Sequence, residues 1–137
     1  MGLYNVFDIA GSGMSAQTIR LNTVASNMAN ANNVTTNKED AYRAKMPVFS
    51  TVMHDVQNKR ESAGVQVLGI EESTKEATRL YDPGNPLANK QGYVYQSNVN
   101  AIEEMANMIS ASRSYQNNVE IMNTAKQLLQ ATLKLGQ

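Results

Sequence analysis

The chain has 137 residues, with twelve basic and twelve acidic side chains, and so no net charge. That excludes nucleic acid or an anionic membrane as the main partner, because either would need clustered positive charge. Charged residues make up only 18% and sixteen residues are Asn, so little repulsion holds copies apart and self-association meets little resistance.

Cysteine is absent, which removes disulfides, thiolate metal sites and a Cys nucleophile. Such a chain suits the cytosol, or export through an oxidising space where a wrong crosslink would trap it. The start, MGLYNVFDIAGSGMSAQ, has no basic region, and Asp8 interrupts its apolar residues, so it does not read as a cleaved secretory signal. Val6 stands where a myristoylation motif needs Ser or Thr. No apolar run reaches the length of a membrane span.

From about residue 3 to 31, Leu3, Phe7, Ala10, Met14, Gln17, Leu21, Val24, Met28 and Ala31 are spaced alternately by four and three, and eight of these nine are apolar. This spacing predicts a helix with a coiled-coil seam, about 43 Å long at 1.5 Å per residue. Gly11 and Gly13 weaken a helix interior by about 1 kcal/mol each and mark a soft point or a close approach.

The middle changes character. NANNVTTNKEDA (30–41) and QNKRESA (57–63) read as polar loops. Val48, Ser50, Val52, His54 and Val56 alternate as in a strand. GVQVLGI (64–70) and GYVYQS (92–97) are short β-prone runs bounded by Gly, and DPGNP (82–86) is a turn.

From about 99 to 135 a second seam runs through Ile102, Met105, Ile109, Ser112, Tyr115, Val119, Met122, Lys126, Leu129 and Leu133, with Gly136 as a helix stop. Two consecutive spacings of three around Ser112 read as a stammer. This helix would be about 55 Å long.

The fold these elements imply is α+β: long N- and C-terminal helices paired as a coiled-coil hairpin, with a small irregular β module between them. The divisions are 1–32, 33–97 and 98–137. A lone two-helix hairpin with this little apolar surface is marginal against its ordering entropy, so neighbouring copies or partner chains must supply further burial. Twelve of the sixteen Asn lie in the end segments. Asn weakens an isolated helix, but its amide offers two donors and two acceptor sites to helix–helix contacts. The ends therefore read as loose when alone and locked when assembled; Asn as a plain solubiliser of exposed faces is the alternative.

No catalytic constellation is present. His54 is the one histidine and reads as structural. GSG at 11–13 lacks the Lys and the strand–helix setting of a phosphate loop. Asn33-Val34-Thr35 is a chance glycosylation sequon, and Glu71, Glu72 and Glu76 read as a solvated loop or turn. No cofactor, metal or small-molecule substrate is implied. Met14, Met28, Met105 and Met122 fall on the seams and serve as core filling or as an adaptable contact surface.

SAQTIRLNTVASNMANANNVTT (15–36), followed by AYRAK (41–45), resembles the N-terminal signature of the bacterial flagellar rod and hook family. LYDPGNPLANKQGYVYQSNVN (80–100) and EEMANMISASRSYQNNVEIMNTAKQLLQATLKLGQ (103–137) resemble its proximal-rod members. Residues 46–79 match nothing in that pattern. The resemblance implies a structural subunit of the basal-body proximal rod, exported by the type III apparatus without cleavage. It would polymerise in the periplasm with its own copies and other rod proteins, inside the inner-membrane ring, into a helical tube that transmits torque and conducts exported subunits. Carried over by position, Arg20, Leu21, Asn22, Asn27, Ala29 and Asn30 would contact adjacent subunits from the first helix. Glu104, Met105, Met108, Ile109, Ser112, Arg113, Tyr115, Asn118 and Val119 would do so from the second. A cytosolic coiled-coil adaptor or export chaperone is the alternative; it explains the seams but not the β module.

Overall fold

The computed structural model describes residues 3–56 and 59–135. The elements in chain order are α1 (Leu3–Asn30), β1 (Val34–Thr35), β2 (Lys45–Val56), β3 (Lys59–Glu72), β4 (Thr78–Tyr81), β5 (Tyr93–Gln96) and α2 (Ala101–Leu135). The architecture is α+β, as the sequence implies.

The helix ends have local causes. At the C-terminus of α1, Asn30 Nδ2 donates to Ser26 O over 2.8 Å, and Asn33 Nδ2 donates to Asn30 Oδ1. At the N-terminus of α2, Asn100 Oδ1 accepts from the backbone N–H groups of Ile102 and Glu103. That satisfies two of the donors a helix start leaves free. Glu103 and Glu104 lie in the first turn and Lys134 in the last, both favourable to the helix dipole. Gly136, expected to stop the helix, lies outside the described residues.

The two helices run antiparallel. Asn27 of α1 meets Glu104 of α2, Arg20 meets Asn107, and Gly13 and Gly11 lie against Asn118 and Met122. The contact is made by small residues: Ala10, Ala111 and Ala125 are buried. A Cβ on Gly13 would stand 2.8 Å from Asn118 Nδ2, the free end of a side chain that can turn aside.

Here the seam expected on α2 needs correction. Ile102, Met105 and Ile109 are 79%, 54% and 57% exposed, and Leu133 is 65% exposed. Glu104, Ala111 and Ala125 are buried instead, with Met108, Asn118, Met122 and Leu129 half-buried at the intervening heptad positions. Bulky apolar residues dominate any periodicity, whereas this close contact selects small and polar ones. On α1 the phase is as expected: Ala10, Val24 and Ala31 are buried, and Phe7, Met14, Leu21 and Met28 are half-buried.

Strands β2 and β3 pair as one long antiparallel hairpin, Lys45 opposite Glu72 and Val56 opposite Lys59, with register shifts after Val48 and Val52. Val48, Ser50 and Val52 are half-buried while Phe49, Thr51 and Met53 are exposed, which is the alternation read from sequence. The side chain of His54 lies outside the described residues. The expected loop 57–63 is corrected from Lys59 onward: Arg60, Glu61 and Ser62 pair with Asp55, His54 and Met53. Their polar side chains carry no alternation to betray a strand. For the same reason Glu71 and Glu72 are strand residues, not loop. Residues 57–58 lie outside the described residues.

The second sheet has the order β1-β5-β4, antiparallel throughout. Its central strand buries Val94 completely. β1 falls inside the expected loop 30–41, and β4 was not foreseen: all four of its residues are exposed, so it has no buried face to read. The turn at 82–86 forms as expected, with Asn85 N–H donating to Asp82 O over 3.2 Å.

The hairpin lies along α1. Its base is tied at Lys45 to Asn27, and Val65 N–H donates to Ser12 Oγ. From Ser12 to Asn27 is fifteen helix steps, about 23 Å, and from Lys45 to Val52, whose partner is Gly64, is seven strand steps, about the same length. The two elements are therefore matched in length. Gly64 has φ +150°, and a Cβ there would collide with Ser12 Oγ, so glycine is what lets strand and helix touch.

Candidate functional site

Among the described residues, the buried apolar side chains are six Ala and two Val, while fifteen large hydrophobic side chains are exposed. Large patches of exposed apolar surface mark interaction sites. The chemistry of this molecule therefore lies on its surface and in the polar joint that orients that surface.

The joint is centred on Asn27, which is 1% exposed. Its Nδ2 donates to Lys45 O at 2.8 Å and to Glu104 Oε2 at 3.1 Å. Its Oδ1 accepts from Lys45 N–H at 2.9 Å and from Tyr42 OH at 3.0 Å. All four valences of the amide are used. Lys45 has its N–H and C=O both turned away from β3, and Asn27 takes both as a neighbouring strand would. One side chain thus joins α1, α2, the 41–44 segment and the hairpin. Asn98 plays a parallel part: its Oδ1 accepts from Ala44 N–H and its Nδ2 donates to Lys75 O, each at 2.7 Å.

The residues expected at subunit contacts separate into three groups. Asn27 and Glu104 are engaged inside the chain, as are Arg20, which donates to Asn107 Oδ1 over 3.1 Å, and Asn30. Phe7, Met14, Leu21, Met28, Met108, Ser112, Asn118, Val119, Met122 and Leu129 are half-buried and Val24 is buried along the helix pair. Asn22, Ile102, Met105, Ile109, Arg113, Tyr115 and Leu133 are exposed. The side chain of Leu3 lies outside the described residues. Sequence reasoning missed Ser12, Tyr42, Lys45 and Asn98 as joint residues; AYRAK flagged the segment of two of them without their role.

Beyond the expected set, Ile121 and Leu128 are exposed at 48% and 56%. With Val6, Asn117, Glu120, Thr124 and Ala125 they line an open groove of about 550 Å³. The one ion pair among the described residues is Lys38 Nζ to Glu76 Oε1 at 2.6 Å, which joins two loops of the β module. The hydrogen bond from Lys38, and then its charge, hold the Glu76 carboxyl below the usual glutamate value of 4.5. Among the described residues no grouping of His, Cys, Asp and Glu could hold a metal, and no helix is long and apolar enough to cross a membrane.

A paired-helix subunit with its large apolar side chains outside is the form of a building block. Two family models agree with that class. Residues 7–37 match "Flagella basal body rod protein" and residues 90–135 match "Flagellar basal body rod FlgEFG protein C-terminal". The chain is also similar over its whole length, and over the whole length of each relative, to the flagellar basal-body rod proteins FlgC of Yersinia enterocolitica (51% identical) and Salmonella typhimurium (48%). The FlgC of Buchnera aphidicola subsp. Schizaphis graminum is 45% identical over the same full extent. The chain belongs to the FlgC family of flagellar basal-body rod proteins, and it is a structural subunit of the basal-body rod.

Proposed function

We propose that the chain polymerises with its own copies and other rod proteins into the proximal, periplasmic part of a helical tube that transmits torque and conducts exported subunits. The divisions 1–32 and 98–137 form the tube's core as a coiled-coil hairpin, and 33–97 is carried outside it. The chain reaches that position through the type III export apparatus without cleavage, and the inner-membrane ring surrounds it. The contacts lie on the exposed and half-buried residues of the two helices.

The observation that carries this reading is the inversion of apolar surface. Among the described residues the apolar side chains buried in the free chain are no larger than Val, while Ile102, Met105 and Ile109 face outward. The stabilisation that would come from burying them, about 1.5–3 kcal/mol for each large side chain, is available only in an assembly. No observation favours the cytosolic adaptor.

Fractionation of cells producing a tagged full-length chain tests the reading. Recovery with detergent-purified basal bodies is the expected result, and retention in the soluble cytosolic fraction would overturn it. A dilute free chain with amide-exchange protection throughout both terminal helices would remove the coupling of stability to assembly.

A further inference from the structure

Two exposed apolar faces of this chain, one on β3 and one on α2, share one pattern. On β3, Leu68 and Ile70 are 64% and 53% exposed, and Glu72, two residues on, is exposed as well. On α2, Met105 and Ile109 are exposed, and Arg113, one turn on, is exposed as well. Each face thus reads apolar, apolar, charged, with Lys45 standing opposite Glu72 across the hairpin. Leu68 to Glu72 covers about 13 Å of strand and Met105 to Arg113 about 12 Å of helix. The charges are opposite, and neither belongs to the one ion pair among the described residues, Lys38–Glu76.

The two faces are kept apart within one molecule. β2 sits beside Asn107: Pro47 and Phe49 line one small pocket with Arg20, Glu104 and Asn107. Met105 and Ile109 are each two residues from Asn107, about 200° around the helix at 3.6 residues per turn. The hairpin is therefore on one side of α2, and the face Met105–Ile109–Arg113 looks the other way.

We infer that these faces are the two halves of one contact between copies of this chain, with Leu68, Ile70 and Glu72 of one copy seated on Met105, Ile109 and Arg113 of the next. The inference rests on the assembly reading above and specifies its geometry. Because the mating surfaces differ, the contact is head-to-tail. Contacts of this kind build rings or helices rather than closed two-fold dimers. The ion pair at the end of the apolar strip fixes register and direction, as charged groups at interfaces do.

The test exploits the absence of native cysteine. Full-length chains carrying Leu68→Cys, Met105→Cys or both are produced in flagellated cells, and basal bodies are isolated under mild oxidation. The double variant should give a ladder of dimers, trimers and larger species. The two single variants, co-produced, should give a heterodimer, and each alone should give none. A dimer from either single variant alone would overturn the inference, because the contact would then be symmetric. Basal bodies that contain the double variant without any crosslink would also overturn it, while leaving the rod assignment standing; absence of even the unsubstituted chain from basal bodies would defeat the assignment itself. Where cysteine blocks assembly, charge reversal reads the same contact: Arg113→Glu should abolish swarming and Glu72→Arg in the same chain should restore it. Failure of that rescue counts against the inference.

Discussion

Asn27 holds Glu104 across the helix pair: Nδ2 donates to Oε2 over 3.1 Å, and both side chains are buried, at 1% and 8% exposure. A carboxylate that deep is costly unless its oxygens are bonded. The Asn27 amide supplies such a bond while its other valences fix Lys45 and Tyr42. One neutral side chain on α1 therefore ties α2 to the base of the hairpin.

Replacing Asn27 by Ala leaves the Lys45 peptide, the Tyr42 hydroxyl and Glu104 without their shared partner. The expected loss is about 2–4 kcal/mol, since each buried group left unpaired costs roughly 1–3 kcal/mol less whatever water recovers. Asn27→Asp should be at least as harmful despite its size, because it sets a carboxylate against Glu104 and against the Lys45 carbonyl. Urea unfolding followed by circular dichroism measures both. An Asn27→Asp chain as stable as the parent would show that the joint contributes little.

Two glycines make the opposite prediction from each other. At Gly64 an added methyl meets Ser12 Oγ on a backbone with φ +150°, so Gly64→Ala should cost about 1–3 kcal/mol. At Gly13 the methyl meets the free end of the Asn118 side chain, which can rotate away. The helix gains up to about 1 kcal/mol from Gly to Ala, and Gly13→Ala should be neutral to stabilising. Thermal melts of the two variants decide, and a reversed order would mean that the hairpin does not press on α1.

Much of this was legible in the chain. The α+β class, both helices within a few residues of their ends, the turn at 82–86 and the alternation through Val48, Ser50 and Val52 all follow from period and turn chemistry. β4 was not legible because a strand without a buried face shows no alternation, and the hairpin from Lys59 to Ser62 was not because its sequence there is an unbroken polar run. The phase of α2 is masked by Ile102, Met105 and Ile109, large apolar side chains that face outward, whereas the small Ala111 and Ala125 are buried. The role of Asn27 was invisible for another reason: its partners are backbone atoms at Lys45 and a carboxylate 77 residues away, and no local spacing encodes them.

The Lys38–Glu76 pair gives a pH signature. The Glu76 carboxyl is held below the usual value of 4.5 by the hydrogen bond and charge of Lys38. A carboxyl lowered on folding stabilises the folded chain above its unfolded value, and that stabilisation is lost as pH falls through the lowered folded value. The pair is exposed, so the gain in stability is small. Side-chain NMR should place the Glu76 midpoint below 4.5, and Lys38→Met should return it to the ordinary value. A midpoint unmoved by that substitution would mean that the pair does not form in solution.

Leu21 and Ile109 separate folding from assembly. Ile109 is 57% exposed, so Ile109→Asp should change the stability of the free chain by no more than about 0.5 kcal/mol, as for other surface substitutions. It nevertheless sets a charge in the centre of the apolar strip that the proposed contact covers, and a desolvated unpaired carboxylate at an interface is strongly unfavourable. Incorporation into the rod, read from purified basal bodies, should be lost while expression persists. Leu21 is half-buried beside the helix pair, so Leu21→Asp should lower the stability of the free chain and also block incorporation. Leu21→Ala serves as its control, removing apolar surface without adding charge, and should weaken assembly less. Normal motility with Ile109→Asp would show that the outward face of α2 meets no neighbour, and the exposed apolar surface would then need another explanation.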